Sequence, residues 1–248
     1  MAEAATINVL LAGQKWFGAE VFLALSALEG VSIAAVSAPV NGLDRLAALA
    51  DCRCIKFIPA GTLNAATMPS GVDLIVAAHS HDFIGEKTRL KARWGGIGYH
   101  PSLLPLHRGR DAVRWVIRMK EPVTGGTVYR LSNRMDGGPI LDQRLVFIRP
   151  GATAESLWRE QLGPLGVAMV QEVVLRFARH GFQPGAPQDE SLATWEPAID
   201  RPPAFRPDLT LIPRYLGSES EETLADVVAN AAGGFSASAR PLQRRHAS

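Results

Sequence analysis

The sequence is short of cysteine, and the two it has, Cys52 and Cys54, stand two positions apart. Neighbours that close rarely form an unstrained disulfide. They are also too few for a zinc site, and their spacing is not Cys-x-x-Cys. They are expected to be reduced thiols, which points to the cytoplasm. An excess of charge of one sign is also lacking, since 26 basic and 24 acidic residues leave a net charge of +2. No overall basic field therefore points to nucleic acid or to an anionic membrane. The local exception is Arg240, Arg244 and Arg245. No stretch approaches the ~18 apolar residues that suggest a membrane span. The opening MAEAATINVLLAG has no basic lead and too short an apolar run for a signal peptide. There are no internal repeats. GQKWFG, after the first apolar run, is neither a GxGxxG fingerprint nor a Walker loop. No Gly-x-Ser-x-Gly elbow marks a serine hydrolase.

What is there is an ordinary globular composition, 248 residues with 47% hydrophobic, enough for a sizeable core. INVLLA (Ile7–Ala12), VSIAAVSA, DLIVAA (Asp73–Ala78) and GGIGY are short continuous apolar runs. Helical stretches lie between them, in AEVFLALSAL and around 43–50 and 85–93. Buried strands alternating with helices predict βαβ units and a mostly parallel sheet, an α/β fold. DAVRWVIRM has helical spacing, with Ala112, Trp115, Val116 and Met119 on one face. GTVYRL and ILDQRLVFI flank SNRMDGG, which predicts an antiparallel hairpin at the end of the sheet. Thr153 starts a long helix that Gly181 ends. The chain is expected to divide into a catalytic α/β domain over 1–182, a Pro-rich wrap over 183–216, and a short helix with a disordered tail over 217–248.

Ligands of parallel sheets gather at the carboxyl ends of the strands. DLIVAA is followed there by His79, His81 and Asp82. A His-x-His pair with a carboxylate is one metal pattern. However, successive loop side chains diverge and no third ligand is near, so these residues are expected to line a pocket without a metal. The next strand ends at His100. Pro101 keeps His100 out of the helical region and Pro105 stiffens the loop beyond. An imidazole fixed at a sheet edge suits general acid–base work. Asp136, in RMDGGPIL, is by itself a turn residue. The hairpin places it beside the same sheet edge, where a carboxylate can orient the imidazole. Ser102, Asp111 and Glu155 read as turn or helix-start residues.

HPSLLP followed by HRG, with Asp136 36 residues after His100, resembles the folate-dependent formyltransferase family. That family carries Asn-x-His-Pro-Ser-Leu-Leu-Pro and, at the same distance, an Asp in an Asp-x-Gly turn. The likeness covers roughly residues 7 to 180. It includes the hydrolase domain of 10-formyltetrahydrofolate dehydrogenase, through GQKWFGAEVF, Tyr99 and HDFI, and the N-terminal domain of methionyl-tRNA formyltransferase. The resemblance implies a Rossmann-like fold with helices on both faces of the sheet. It implies an enzyme of one-carbon metabolism using 10-formyltetrahydrofolate as formyl donor or substrate, with a small-molecule acceptor; the balanced charge and the lack of a long apolar run make neither nucleic acid nor membrane an expected partner. It makes His100 and Asp136 the catalytic pair. The folate ring would lie between Asp82, Phe83 and Ile84 and the turn of Leu131, Ser132, Asn133 and Met135.

One position departs from the family pattern, since its Asn falls on Gly98. That amide would donate to the formyl oxygen, and losing one oxyanion donor costs about 10² to 10³ in rate. Gly98 is expected to leave room for a larger acceptor or a water. Three readings follow. The first is transfer or hydrolysis of a formyl group, the second folate binding with altered or lost chemistry, and the third formylation of a small amine such as an amino sugar. GQKWFG lacks the phosphate loop of glycinamide ribonucleotide enzymes. The residues after 183 are too few and too Pro-rich for the C-terminal barrel of the tRNA enzymes.

Overall fold

Strand β1 (Ile7–Gly13) divides its side chains between two cores. Val9 and Leu11 pack with Phe17, Val21 and Phe22 of helix α1 (Lys15–Ser26), while Leu10 and Ala12 join Ile75, Ile58 and Met68. Successive strand residues point to opposite faces. A strand that is apolar at nearly every position, as β1 is apart from Asn8, therefore has both faces covered. The computed structural model describes residues 6–40, 42–80 and 82–199. Strand β2 (Val31–Ala38), helix α2 (Arg45–Cys52), strand β3 (Lys56–Pro59), strand β4 (Leu74–Ala78), helix α3 (Glu86–Arg89) and strand β5 (Gly96–His100) follow. Then come helix α4 (Ala112–Arg118) and the hairpin strands β6 (Val123–Arg130) and β7 (Ile140–Phe147).

The sheet order is β3-β2-β1-β4-β5-β6-β7, with β1 to β5 parallel and β6 and β7 antiparallel. This is the mostly parallel Rossmann-like sheet with an antiparallel end that the sequence predicts. The order reverses between β1 and β4, so the carboxyl ends of β1, β4 and β5 open onto the crevice where ligands of such sheets sit. Asp44 braces the rim. Its carboxylate accepts from the Leu46 and Ala47 N–H groups of α2 at 2.9 and 3.1 Å, and from Lys15 N–H at 2.6 Å.

The long C-terminal helix begins at Thr153, which forms a capping box with Ser156. It runs as α5 (Ala154–Leu157), a π turn (Trp158–Leu162) and α6 (Gly163–His180). Gly181, with φ +70, ends it. The helix matters to the site through Tyr99, next to His100. The Tyr99 hydroxyl donates to Leu162 O at 2.7 Å, and its ring runs past Gly126 and Gly166, where a Cβ would collide with it.

Three expectations need correction. KFIP forms β3, a strand that the sequence pattern does not predict. The helix expected over 85–93 is only Glu86–Arg89. α4 stops at Arg118 and leaves Met119 55% exposed, off the apolar face assigned to it. Cys52 and Cys54 are free and exposed. Among the described residues no helix is long and apolar enough to cross a membrane. The extended wrap as far as 199 is described. Its remainder, the short helix and tail expected over 217–248, and the arginines at 240, 244 and 245 lie outside the described residues.

Candidate active site

β5 is buried along its whole length and delivers His100 to the sheet edge. The loop beyond it is tied to the hairpin. Thr127, paired with His100 across β5 and β6, donates its hydroxyl to Ser102 O at 2.7 Å and accepts Leu104 N–H at 3.2 Å. Gln143 donates to Leu104 O at 2.8 Å and to Thr127 Oγ1 at 2.9 Å. Ser102 donates to Leu106 O at 2.6 Å, a structural role in keeping with its reading as a turn residue. The prolines are therefore not the only brace on this loop.

His100 is 6% exposed, and its Nε2 lies 2.6 Å from the backbone oxygen of His107. A carbonyl only accepts, so Nε2 carries a proton. In the neutral ring Nδ1 is then bare, and it lies 3.7 Å from Asp136 Oδ2. Asp136 stands at φ +50, a left-handed conformation that Asp tolerates better than most residues. Both its oxygens are occupied. Oδ1 accepts the Tyr129 hydroxyl at 2.6 Å and Oδ2 accepts Gly109 N–H at 2.7 Å. Burial, and then the Asp136 charge, push the Tyr129 phenol well above its ordinary pKa, so it remains a neutral donor.

These groups form the floor of a cavity of about 730 Å³, within the usual size of small-molecule sites. Asp82, Phe83, Ile84, Leu131, Ser132 and Met135 are among its lining residues, together with Arg110, Asp111, Arg114, Glu155 and Trp158. Phe83 and Met135 are 71% and 42% exposed at the mouth, apolar surface suited to a flat ring. Asn133 is outside the lining. Its Oδ1 accepts from Arg89 Nη2 at 2.6 Å, while Arg89 Nη1 donates to Ile84 O at 2.5 Å. Arg89 thus ties the two loops that face each other across the cavity. Burial lowers its guanidinium pKa, partly offset by Glu86.

His79 lines the cavity in a left-handed conformation, φ +62, with its ring edge-on to Trp158. Asp82 accepts Gly61 N–H at 2.9 Å. His81 lies outside the described residues. Among the described residues no three His, Cys, Asp or Glu side chains are grouped to hold a metal.

Gly98 leaves less room than its sequence suggests. It lines the cavity, but an added Cβ would stand 3.2 Å from Leu131 Cδ2 and 3.3 Å from the Tyr129 ring. Tyr129 of β6 and Leu131 just beyond it fill part of the space. Sequence reasoning missed Tyr129, Arg89 and the turn His107–Gly109. The turn had a signal in the quoted HRG; Arg89 had none. Sequence reasoning expected a wrap over 183–216 but did not bring it to the site. Gln188 donates to Asp136 O and Gly138 O, both at 2.7 Å, and Thr194 O accepts Arg108 N–H at 3.0 Å.

Comparison with known proteins agrees with this geometry. Residues 61–173 match the formyl transferase family. The chain is 37% identical over 126 residues to the mitochondrial 10-formyltetrahydrofolate dehydrogenase of Mus musculus, 51% of this chain and 14% of that protein. It is 44% identical over 100 residues to the methionyl-tRNA formyltransferase of Chloroflexus aggregans, 40% of this chain and 32% of that enzyme. The chain thus spans less than a third of each of these relatives. Its fold is like that of the N-formyltransferase from Helicobacter canadensis in complex with folinic acid and dTDP-3-aminofucose. There the TM-score is 0.63 at 19% identity, covering 77% of this chain and 71% of that one. These matches establish the formyltransferase likeness to which HPSLLP points.

Proposed function

We propose, from the premise that residues 61–173 are a formyl transferase segment, that the chain moves or hydrolyses the formyl group of a 10-formyltetrahydrofolate-type donor. The observation that carries this is the pair on the cavity floor, His100 Nδ1 facing Asp136 Oδ2 at 3.7 Å with the proton of the ring committed to Nε2. The apolar mouth at Phe83 and Met135, between loops tied by Arg89, fits a flat heteroaromatic ring. The donor supplies an activated formyl carbon. The residues of this chain do the rest. The bare Nδ1 accepts a proton from the attacking water or amine. Asp136, held by two donors, offsets the positive charge that the ring then carries. The cavity walls hold acceptor and donor close together, which makes the attack effectively intramolecular. The imidazolium then returns this proton to the donor nitrogen as its C–N bond breaks, so with water as acceptor the products are formate and tetrahydrofolate. With an amine they are a formamide and tetrahydrofolate.

Gly98 favours a second reading, a folate-binding protein with altered or lost chemistry, because no side-chain amide stands at that place. The small-amine reading draws support from the Helicobacter canadensis enzyme, whose structure holds an amino sugar nucleotide. The methionyl-tRNA formyltransferase relative keeps a larger acceptor among the candidates for the assay. The test is incubation with 10-formyltetrahydrofolate, alone and with candidate amines, following tetrahydrofolate release. His100→Ala should lower the rate by about 10² to 10⁴. An unchanged rate in His100→Ala would sink the assignment. Tight folate binding without release under any condition would move the conclusion to the second reading.

A further inference from the structure

We propose that Gln188 and His107 are positioning residues for the pair, joined in a clasp formed when the strap 188–196 closes on the turn His107–Gly109. This rests on the reading of His100 and Asp136 as the catalytic pair. The strap lies beyond the stretch matched by the family, 61–173.

The clasp has two arms. The first ends on His100. Its Nε2 donates to the carbonyl of His107, so the position of that carbonyl sets the tautomer that leaves Nδ1 bare. His107 sits at φ +54, a conformation that surrounding contacts must hold in place. Those contacts are carboxylates and a hydroxyl. Glu121 Oε1, just beyond α4, lies 2.9 Å from His107 Nε2, and Glu196 Oε1, from the strap, lies 3.0 Å from Nδ1. The Glu196 contact is an ion-pair approach, out of line for a hydrogen bond. The His107 N–H donates to Thr194 Oγ1 at 2.7 Å.

The second arm ends on Asp136. Gln188 uses both ends of its amide. Oε1 accepts from Arg108 Nη2 and Nε at 2.7 and 3.1 Å, and Nε2 donates to the carbonyls of Asp136 and Gly138. Arg108 is 2% exposed, and its guanidinium also reaches both oxygens of Glu190 at 2.9 Å. The next residue, Gly109, donates its N–H to Asp136 Oδ2. His107, Gly109 and Asp136 all have positive φ, at 54, 91 and 50. Gly109 takes this region freely, but the two non-glycine backbones persist only while the surroundings over-determine them. In the clasp part of those surroundings comes from the strap.

The test uses the full chain with ¹⁵N-labelled histidine. In the wild type at neutral pH the His100 signals should show one Nε2–H tautomer. Gln188→Met keeps the volume and removes the amide. It should lower kcat by roughly tenfold or more while KM for the donor stays within about twofold, as expected when reacting groups are slightly misplaced. Glu196→Gln should mix the His100 tautomers, and Glu196→Asp should restore much of the wild-type signal. If folded Gln188→Met and Glu196→Gln keep both kcat and the single tautomer, the proposal is overturned. A lower Tm with unchanged kcat well below it overturns it too, since that marks a merely structural strap. Should Gln188→Met fail to fold, Thr194→Val carries the same two readouts. The tautomer signal needs no turnover. A protein without formyl activity therefore fails the proposed function, while its His100 signals still show whether the clasp sets the tautomer.

Discussion

The Tyr129 hydroxyl donates to Asp136 Oδ1 at 2.6 Å, and the same tyrosine stands opposite Gly98 in the pairing of β5 with β6. One side chain thus crowds the position where the family has an amide and also fixes the carboxylate of the pair. Tyr129→Phe keeps the ring and removes the donor. It should lower kcat by roughly tenfold, the kinetic equivalent of one lost hydrogen bond of about 1.4 kcal/mol, with the fold intact by circular dichroism. A variant with wild-type kcat would show that Gly109 N–H alone suffices to hold Asp136.

Alkaline pH should destabilise the fold through two phenols. Burial raises the pKa of Tyr99, and burial followed by the Asp136 charge raises that of Tyr129. In the unfolded chain each ionises near ~10. Above that pH the unfolded state releases protons that the folded state keeps, so unfolding gains. The contribution is complete below the unfolded value and is lost as pH rises toward the folded ones. Urea midpoints should hold to about pH 9 and fall above about pH 10, with a shallower fall in Tyr129→Phe. Equal slopes in both proteins would assign the fall to other groups.

Restoring the family amide at Gly98 should fail as a single change. The Cβ would meet Leu131 and Tyr129 at 3.2 and 3.3 Å. Overpacking of this kind costs about 1–3 kcal/mol, measurable by urea unfolding of Gly98→Asn. Combining it with Leu131→Ala should be less destabilising than the sum of the two single changes. Simple additivity would show that Leu131 is not what crowds the site.

Arg89→Met should act on donor binding. It cuts the link from Ile84 O to Asn133 Oδ1 and frees the facing loops. KM for the donor is expected to rise roughly tenfold with little change in kcat, the pattern of a lost ground-state interaction. A fall in kcat at constant KM would instead place Arg89 with the pair.

Much of this is legible in the sequence for a local reason. β1, β2, β4 and β5 are continuous apolar runs because both faces of each are buried, and a run of that kind reads directly. His100 is legible because Pro101 and Pro105 follow it, and Asp136 because a turn between two strand-like runs must come back to the sheet edge. β3 is not. Of its four residues on the sheet edge only Ile58 is buried, too short a signal to separate from a loop. The helix after Thr153 reads as one element, while the π turn inside it carries no sequence mark.

What the sequence by itself determined is the strands that are apolar runs, the helices between them and the sheet class, since each depends on neighbours within a few positions; it offered His100 and Asp136 only as candidates. What only the tertiary structure decided is how that pair is held. Thr194 reaches His107 across 87 positions, Gln188 reaches Asp136 across 52, and Arg89 reaches Asn133 across 44. No periodicity or propensity links residues so far apart, because their meeting depends on the assembled sheet and the path of the chain over it. The same holds for Gly98. Its letter says that an amide is absent, and only the packing of Leu131 and Tyr129 from the neighbouring strand shows how much of that space is already taken.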